Sequence, residues 1–164
     1  MKKSFTLLEL LIAIVILGVL AALISGNFIT SLKKGKDARR KADLEQIQRA
    51  LEMYYEDKRA YPTQAAASGF PFGGKFCETP TCSSNEKIYM QKVPNDPVSS
   101  YSYQYQSDGT YYRLFSCIEN KLDQGPGISQ GGFDGGPSNC GTNCKCKYTI
   151  SSPNITPLPT LPPS

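Results

Sequence analysis

The sequence contains no histidine. This absence excludes Ser-His and Cys-His catalysis and most zinc enzymes, because those sites use an imidazole as base or ligand. We therefore expect no catalytic residue, no metal and no cofactor. The formal net charge is only +4, and Lys2 and Lys3 supply part of it, so the charge gives little support for nucleic-acid binding.

Two further absences mark the first part of the chain. No charged residue occurs from Leu10 to Ile24, and no proline interrupts the chain from Phe5 to Ala60. About 20 apolar residues in a helix are long enough to cross a hydrocarbon core of about 30 Å. The sequence therefore predicts a membrane-spanning segment over residues 5–26, within one long helix that ends before Pro62.

The pattern becomes amphipathic beyond this segment. Apolar residues recur at helical spacing while charged residues fill the other side. The apolar positions are Ala38, Ala42, Leu44, Ile47, Leu51 and Tyr54. Residues 27–61 are thus predicted to continue the first helix and to cover one side of a folded head.

No cysteine occurs before residue 77, and the six that follow are Cys77, Cys82, Cys117, Cys140, Cys144 and Cys146. An even number in a small domain behind a membrane segment predicts disulfides formed in an oxidising compartment. Closure of a short turn favours Cys77 with Cys82. If residues 145–150 pair beside residue 117, then Cys117 meets Cys146, and Cys140 is left with Cys144.

Two metal sites are weaker alternatives to this interpretation. The last four cysteines show only one spacing that fits a zinc knuckle. Calcium would need carboxylates from loops, yet no EF-hand spacing is present and loop aspartates usually form turns. The loop aspartates are Asp96, Asp108, Asp123 and Asp134.

The second half of the chain predicts three strands. Tyr101–Tyr105 alternates strictly, and Ser107–Thr110 is a hairpin signal before Tyr111–Ile118. Lys145–Ile150 is the third strand. A long helix packed on a small antiparallel sheet gives an α+β fold. Residues 62–152 would form this disulfide-stapled, β-rich head, and the proline-rich residues 153–164 would form an exposed tail without a core.

One acid in the apolar N-terminal region, Glu9, needs an explanation. A secretory signal peptide fits poorly because the apolar run is long and lacks a good cleavage site. A plain transmembrane helix explains the length but not the acid, since a charge in a membrane segment is unfavourable and usually has a partner.

The stretch that contains this acid, Lys2-Lys3-Ser4-Phe5-Thr6-Leu7-Leu8-Glu9-Leu10-Leu11, resembles the start of type IV prepilins and type II secretion pseudopilins. Tyr61-Pro62 and Pro94-Asn95-Asp96-Pro97 resemble later features of the same family. The resemblance implies that residues 1–4 are a leader, that a prepilin peptidase cuts between Ser4 and Phe5, and that the new amine of Phe5 is methylated. The family favours glycine before the cut, whereas this chain has Ser4.

The resemblance also implies a role for Glu9 in subunit assembly. Its carboxylate would pair with the Phe5 amine of a neighbouring subunit, because a buried charge becomes tolerable when it is paired. The chain would then be a structural subunit of a type IV pilus-like or type II secretion pseudopilus filament. Its expected partners are other copies, other pilins or pseudopilins, the prepilin peptidase and the inner-membrane assembly platform.

The expected location is the cytoplasmic membrane, with a single span and an extracytoplasmic head. After assembly the filament would be periplasmic or at the cell surface. The alternative from another class is a membrane-anchored, disulfide-rich extracytoplasmic binding domain that does not polymerise.

Overall fold

A single helix, α1, runs from Leu7 to Lys58 in the computed structural model of the protein. The structure describes residues 5–63 and 69–162, and the side chains of residues 23–27 are not described. With 52 residues, α1 is about 80 Å long. It ends where Arg59 adopts the left-handed conformation. The prediction of one long helix that ends before Pro62 is confirmed.

The second half of α1 packs on the rest of the chain through aliphatic residues that the helical spacing predicts. The fully buried ones are Leu44, Ile47 and Leu51. Two positions predicted on the same face, Ala38 and Ala42, are instead exposed. The charged residues Asp37 and Arg40 are buried there, and an ion pair joins them.

Two small antiparallel sheets flank α1. The first pairs β1 (Phe76–Cys77) with β2 (Ile88–Met90). The second has the order β3-β4-β5, with β3 at Gln104–Ser107, β4 at Tyr112–Cys117 and β5 at Cys146–Ser151. The predicted α+β class is confirmed, and the second sheet contains the three predicted strands. The first sheet has no counterpart in the prediction, because strands of 2 and 3 residues carry no periodic signal.

The strand predicted at Tyr101–Tyr105 begins later than expected. β3 starts at Gln104, and Tyr101 instead forms an isolated bridge with Gly141. Gly141 has a φ of +134°, and a Cβ atom there would lie 2.4 Å from the Ser100 carbonyl oxygen. A glycine is therefore required at position 141, where the loop between Cys140 and Cys146 contacts the segment just before β3.

The central strand β4 has a different core on each face. Toward α1, Tyr112 and Leu114 join a large core of aromatic and aliphatic side chains. On the outer face, Phe115 and Cys117 join a smaller core that contains Phe133 and three other cysteines. The segments on either side of β5 in the chain, residues 131–145 and 152–162, supply most of this second core, and we call them the outer layer. The sheet is thus buried on both faces.

The proline-rich end of the chain lies along a glycine-rich loop at residues 131–136. Thr160 forms an isolated bridge with Phe133, and the Leu161 N–H donates a hydrogen bond to this loop at 3.0 Å. Leu158 packs against the outer core. Residues 153–162 are largely exposed, and they also contact the head through Leu158, Thr160 and Leu161. Packing of the apolar Leu158 and hydrogen bonds between the two backbones hold this segment against the loop.

All six cysteines form disulfides, as predicted. The pairs are Cys77–Cys82, Cys117–Cys144 and Cys140–Cys146. The first agrees with the prediction, but the predicted pairs Cys117–Cys146 and Cys140–Cys144 are wrong. Cys117 does face Cys146 across β4 and β5, and the Cys140 N–H donates to the Cys144 carbonyl at 2.9 Å. Residues predicted to pair are therefore backbone neighbours, and the covalent bonds join them diagonally.

Candidate functional site

The first half of α1 exposes an apolar surface on all its sides. From Phe5 to Leu32, every described large apolar side chain is between 47 and 86 % exposed. The described residues contain no other apolar surface as continuous as this one. Because such surface is unfavourable in water, this half of the helix requires a partner that the rest of the chain does not supply.

Glu9 lies in the first turn of α1, which begins with a capped end. Thr6 is extended, and its Oγ1 atom accepts a hydrogen bond from the Glu9 N–H at 3.3 Å. A threonine followed three residues later by glutamate is the capping-box pattern. The carboxylate of Glu9 is exposed, and no hydrogen bond or ion pair engages it within the described residues. It is therefore available to a group outside the chain.

The predicted cleavage site is only half within the described residues. Met1 to Ser4 lie outside them, whereas Phe5 is described, is 77 % exposed and precedes the helix. The structure thus places Phe5 and Glu9 on either side of the Thr6 cap, about one helical turn apart in sequence. Processing and methylation at this site remain predictions.

Membrane insertion remains a prediction as well. Among the residues that the structure describes, no helical segment meets the length and apolarity required of a membrane span.

The head is attached to α1 by a buried charge cluster. Arg40 is fully buried and donates hydrogen bonds to Asp96 at 2.8 and 3.0 Å, to Asp37 at 2.7 Å and to Glu119 at 2.8 Å. Asp37 in turn accepts the N–H groups of Glu119 and Asn120 at 3.0 and 2.8 Å. We call Arg40, Asp37, Asp96 and Glu119 the anchor cluster. It joins the helix to two loops of the head that lie far away in sequence.

The hydrogen bonds of the anchor cluster hold Arg40 in its charged form. Burial alone would lower the pKa of Arg40, but the hydrogen bonds that Arg40 donates to Asp96, Glu119 and Asp37 outweigh burial and raise that pKa. Sequence reasoning did not find this cluster. The Pro94-Asn95-Asp96-Pro97 turn is recognisable in the sequence, but the only local signal for its partner is the spacing of Asp37 and Arg40, which is common on solvated helix faces.

Tyrosines attach the upper part of α1 to both sheets. The Tyr103 hydroxyl donates to Asp43 at 2.8 Å, the Tyr112 and Tyr61 hydroxyls donate to Glu52 at 2.8 and 3.0 Å, and the Tyr89 hydroxyl donates to Asp57 at 2.8 Å. Burial, and then these carboxylate bonds, raise the pKa of each tyrosine. The tyrosine-rich strands thus form a core face that is partly polar.

Three of the four aspartates considered as calcium ligands accept hydrogen bonds from other groups of the chain. Asp96 belongs to the anchor cluster, and Asp108 accepts the Thr110 N–H and hydroxyl in the β3–β4 turn. Asp123 accepts from Lys41 at 2.7 Å and from the Gly125 N–H at 3.1 Å. Within the described residues, no group of cysteine, aspartate and glutamate side chains is arranged to hold a metal ion.

Two family models match the chain. The model described as the prokaryotic N-terminal methylation motif matches residues 1–25, and the model described as type II secretion system (T2SS), protein G, matches residues 27–130. The second match therefore includes the second half of α1, the first sheet, β3 and β4. It ends at the start of the outer layer.

Curated relatives agree with these matches. The chain is 34 % identical over 110 residues to the type II secretion system core protein G of Klebsiella pneumoniae, which covers 67 % of this chain and 78 % of the relative. It is 34 % identical over 115 residues to core protein G of Pseudomonas aeruginosa, with 66 and 76 % covered, and 29 % identical over 113 residues to that of Aeromonas hydrophila, with 69 and 78 % covered. No solved structure matches the chain.

The two matched segments contain the two features of the site described above. The methylation motif contains the capped start of α1 with Phe5 and Glu9, and the protein G match contains all four residues of the anchor cluster. The chain belongs to the protein G family of type II secretion system pseudopilins.

Proposed function

We propose that the protein is a structural subunit of the filament that a type II secretion system assembles. It is made as a precursor, cut between Ser4 and Phe5 by a prepilin peptidase, and methylated on the Phe5 amine. The first half of α1 anchors it in the cytoplasmic membrane as a single span, with the head on the extracytoplasmic side. An inner-membrane platform then draws it into a filament with other copies and other pseudopilins.

The observation that carries this proposal is the contrast along α1. The helix is continuous, its second half is fixed to the head by the anchor cluster, and its first half exposes apolar side chains on every side. Lipid can cover that surface in a single subunit, and the same surface of other copies can cover it in a filament. The chain needs no catalytic group for either state, and we assign it no enzymatic role.

Family membership favours the filament over a binding domain that does not polymerise. The relatives are named as core proteins of a secretion system, which also favours secretion over adhesion, motility or DNA uptake as the purpose of the filament. Disulfides in the head agree with an oxidising, extracytoplasmic location.

Intact-mass analysis of protein extracted from membranes tests the processing step. The expected mass corresponds to a chain that begins at Phe5 and carries one methyl group. A chain that keeps Met1 to Ser4, or one that begins near Gly26, would contradict the pilin-type maturation proposed here. The matched variant Ser4→Gly restores the residue that the family favours before the cut, and it should be processed at least as completely as the natural chain.

Assembly is tested by co-expressing the chain with the secretion machinery and shearing the cells. The expected result is the mature protein in the sheared filament fraction. Mature protein that stays entirely in the membrane fraction, while the other pseudopilins are sheared off, would support the non-polymerising alternative.

A further inference from the structure

The surface between the exposed half of α1 and the head carries an excess of positive charge. Lys33, Lys34 and Lys36 are exposed, and so is Arg39. The only acidic residue of α1 from Phe28 to Lys41 is Asp37, which is buried in the anchor cluster. Lys33, Lys34 and Lys36 therefore face solvent without an acidic neighbour from the same stretch of helix, whereas Arg39 lies 3.9 Å from the Asp43 carboxylate.

These charges surround the helix instead of following one side. At 100° per residue, Lys34, Arg39 and Lys36 point about 100°, 240° and 300° around the axis from Lys33. A protein partner would contact one side of the helix. A flat surface crossed by the helix contacts all sides, so the arrangement fits a plane through which α1 passes.

The head adds charge at the same level along the helix. Asp37 accepts the N–H groups of Glu119 and Asn120, and Lys41 donates to Asp123 at 2.7 Å. These contacts hold the turn at residues 119–123 beside the first buried turn of α1, which is the end of the head nearest the apolar half. The turn presents the exposed Lys121 and Leu122, whose side chain is 84 % exposed.

A chain of hydrogen bonds connects another lysine to this turn. Gln130 donates to the carbonyl groups of Asn120 and Asp123 at 3.2 and 2.8 Å, and Lys147 donates to the Gln130 side chain at 3.3 Å. Burial lowers the pKa of Lys147, and the positive charges of Lys121 and Lys145 lower it further. We call Lys33, Lys34, Lys36, Arg39, Lys121 and Lys147 the basic collar.

We propose that the basic collar rests on the anionic headgroups of the membrane while the subunit is still unassembled. The proposal rests on the single span of the proposed function. If that span ends at residue 26, then Lys33 to Lys36 lie about 10 to 15 Å beyond the hydrocarbon edge. The headgroup layer is about 5 to 7 Å thick and charges act over a Debye length of about 8 Å, so Lys33, Lys34 and Lys36 lie within reach of lipid phosphates.

The collar also accounts for an anomaly of the topology. Positive charge is usually concentrated on the cytoplasmic side of a span, and here it is greater on the side of the head. A ring of lysines beside a span recognises anionic lipid by charge alone. It holds the turn at residues 119–123 close to the membrane until the subunit is extracted.

Tryptophan fluorescence can test this contact, because the chain contains no tryptophan. The full chain with Leu122→Trp is reconstituted into vesicles of phosphatidylcholine, with or without phosphatidylglycerol, that carry a nitroxide on some headgroups. Quenching by the nitroxide should be stronger with phosphatidylglycerol and should weaken at high salt. The control is Met53→Trp. Met53 lies about 24 Å farther along α1 than Asp37 and is 50 % exposed in the wild type, so its quenching should not differ between the two lipid compositions.

Charge removal sharpens the test. Lys121→Gln in the Leu122→Trp chain should reduce the lipid-dependent contact by up to about fivefold, and removal of Lys33, Lys34 and Lys36 should abolish it. Lys75→Gln is the matched control, since Lys75 is also an exposed lysine of the head. It neighbours Phe76, which packs on Tyr54 near the far end of α1.

Three results would overturn the proposal. Equal quenching in both lipids, or no response to the collar variants, removes the anionic headgroup as the partner. Quenching that follows the density of protein in the bilayer shows that a second copy covers the collar instead. A chain that does not float with vesicles of either composition overturns the membrane span of the proposed function, and this inference with it.

Discussion

The two halves of α1 differ in where their partners lie. Leu44, Ile47 and Leu51 in the second half are fully buried by the head, whereas Leu7 in the first half is 86 % exposed. Both halves are regular helix, so local conformation does not distinguish them. The difference shows that one half is stabilised within the chain and the other must be stabilised by lipid or by other subunits. Changes in one half should therefore leave the function of the other intact.

The largest expected effect comes from Glu9→Ala. Its carboxylate has no partner within the described residues, and loss of one member of a buried ion pair costs about 3 to 5 kcal/mol. Every subunit would bear this cost, so we expect filaments to be lost almost completely. The amount of protein in the sheared fraction, relative to the membrane fraction, measures the effect.

Cleavage and the thermal stability of the head should not change in Glu9→Ala, because the head lies many turns away. Glu9→Gln should rescue assembly poorly, since an amide does not neutralise a cation. A normal filament yield from Glu9→Ala would reduce Glu9 to an acid that merely caps the helix and reaches water.

Arg40→Met should have the opposite pattern. It removes the only cation of the anchor cluster and leaves Asp37, Asp96 and Glu119 close together, so we expect the head to lose about 3 to 5 kcal/mol of stability. Urea unfolding of the detergent-solubilised protein, followed by near-ultraviolet circular dichroism of its tyrosines, measures this loss.

Arg39→Met is the matched control for the anchor. Arg39 is adjacent in sequence but its side chain is 66 % exposed, so we expect a change of no more than about 0.5 kcal/mol. Equal effects of the two substitutions would mean that the anchor cluster contributes nothing beyond a surface charge.

Two isoleucines allow the same side chain to be removed from each half. Ile47→Ala leaves a cavity in the main core and should destabilise the head by about 2 to 5 kcal/mol. Ile14→Ala, at a position that is 59 % exposed, should leave head unfolding unchanged. Urea unfolding of both variants decides the comparison, and a clear loss of head stability in Ile14→Ala would show that the halves are not independent.

Alkaline pH should lower the stability of the head and leave the first half of α1 unchanged. Burial raises the pKa of Tyr103, Tyr105 and Tyr112 above the ordinary value of about 10. The folded head therefore keeps protons that the unfolded chain releases, so this stability is present below about pH 10 and is lost as pH rises through the folded pKa.

The expected slope is up to about 1.4 kcal/mol per pH unit for each of these tyrosines. Urea unfolding at a series of pH values above 10 measures it, and Tyr103→Phe should make the slope shallower by one tyrosine. The first tyrosine of the chain is Tyr54, so the exposed half of α1 should keep its helical circular dichroism in detergent. A stability that does not change above pH 10 would contradict this account.

Patterns within short windows predicted most of the fold. The uncharged stretch from Leu10 to Ile24, the spacing of Leu44, Ile47 and Leu51, and the β3–β4 turn are all local signals, and each identified its element. The anchor cluster was not predicted because Arg40 is separated from Asp96 and Glu119 by 56 and 79 residues in the sequence. Its charges look like those of a solvated helix face until the tertiary contacts are known.

The disulfides show a similar limit at shorter range. Strand pairing correctly indicated that Cys117 and Cys146 would be neighbours, but sequence alone does not determine which diagonal a side chain takes. The outer layer was also missed as a layer, because its glycines and prolines are typical of loops. It is held by bonds to β4 and β5, whose position depends on the whole sheet.

The cap at the start of α1 has a consequence for maturation. Thr6 accepts the Glu9 N–H, and its own carbonyl accepts the Leu10 N–H at 3.3 Å. Both bonds are made by residues on the mature side of the proposed cut. Removal of the leader therefore breaks neither bond, so the proposed cut leaves the capped start of α1 the same in the precursor and in the mature subunit.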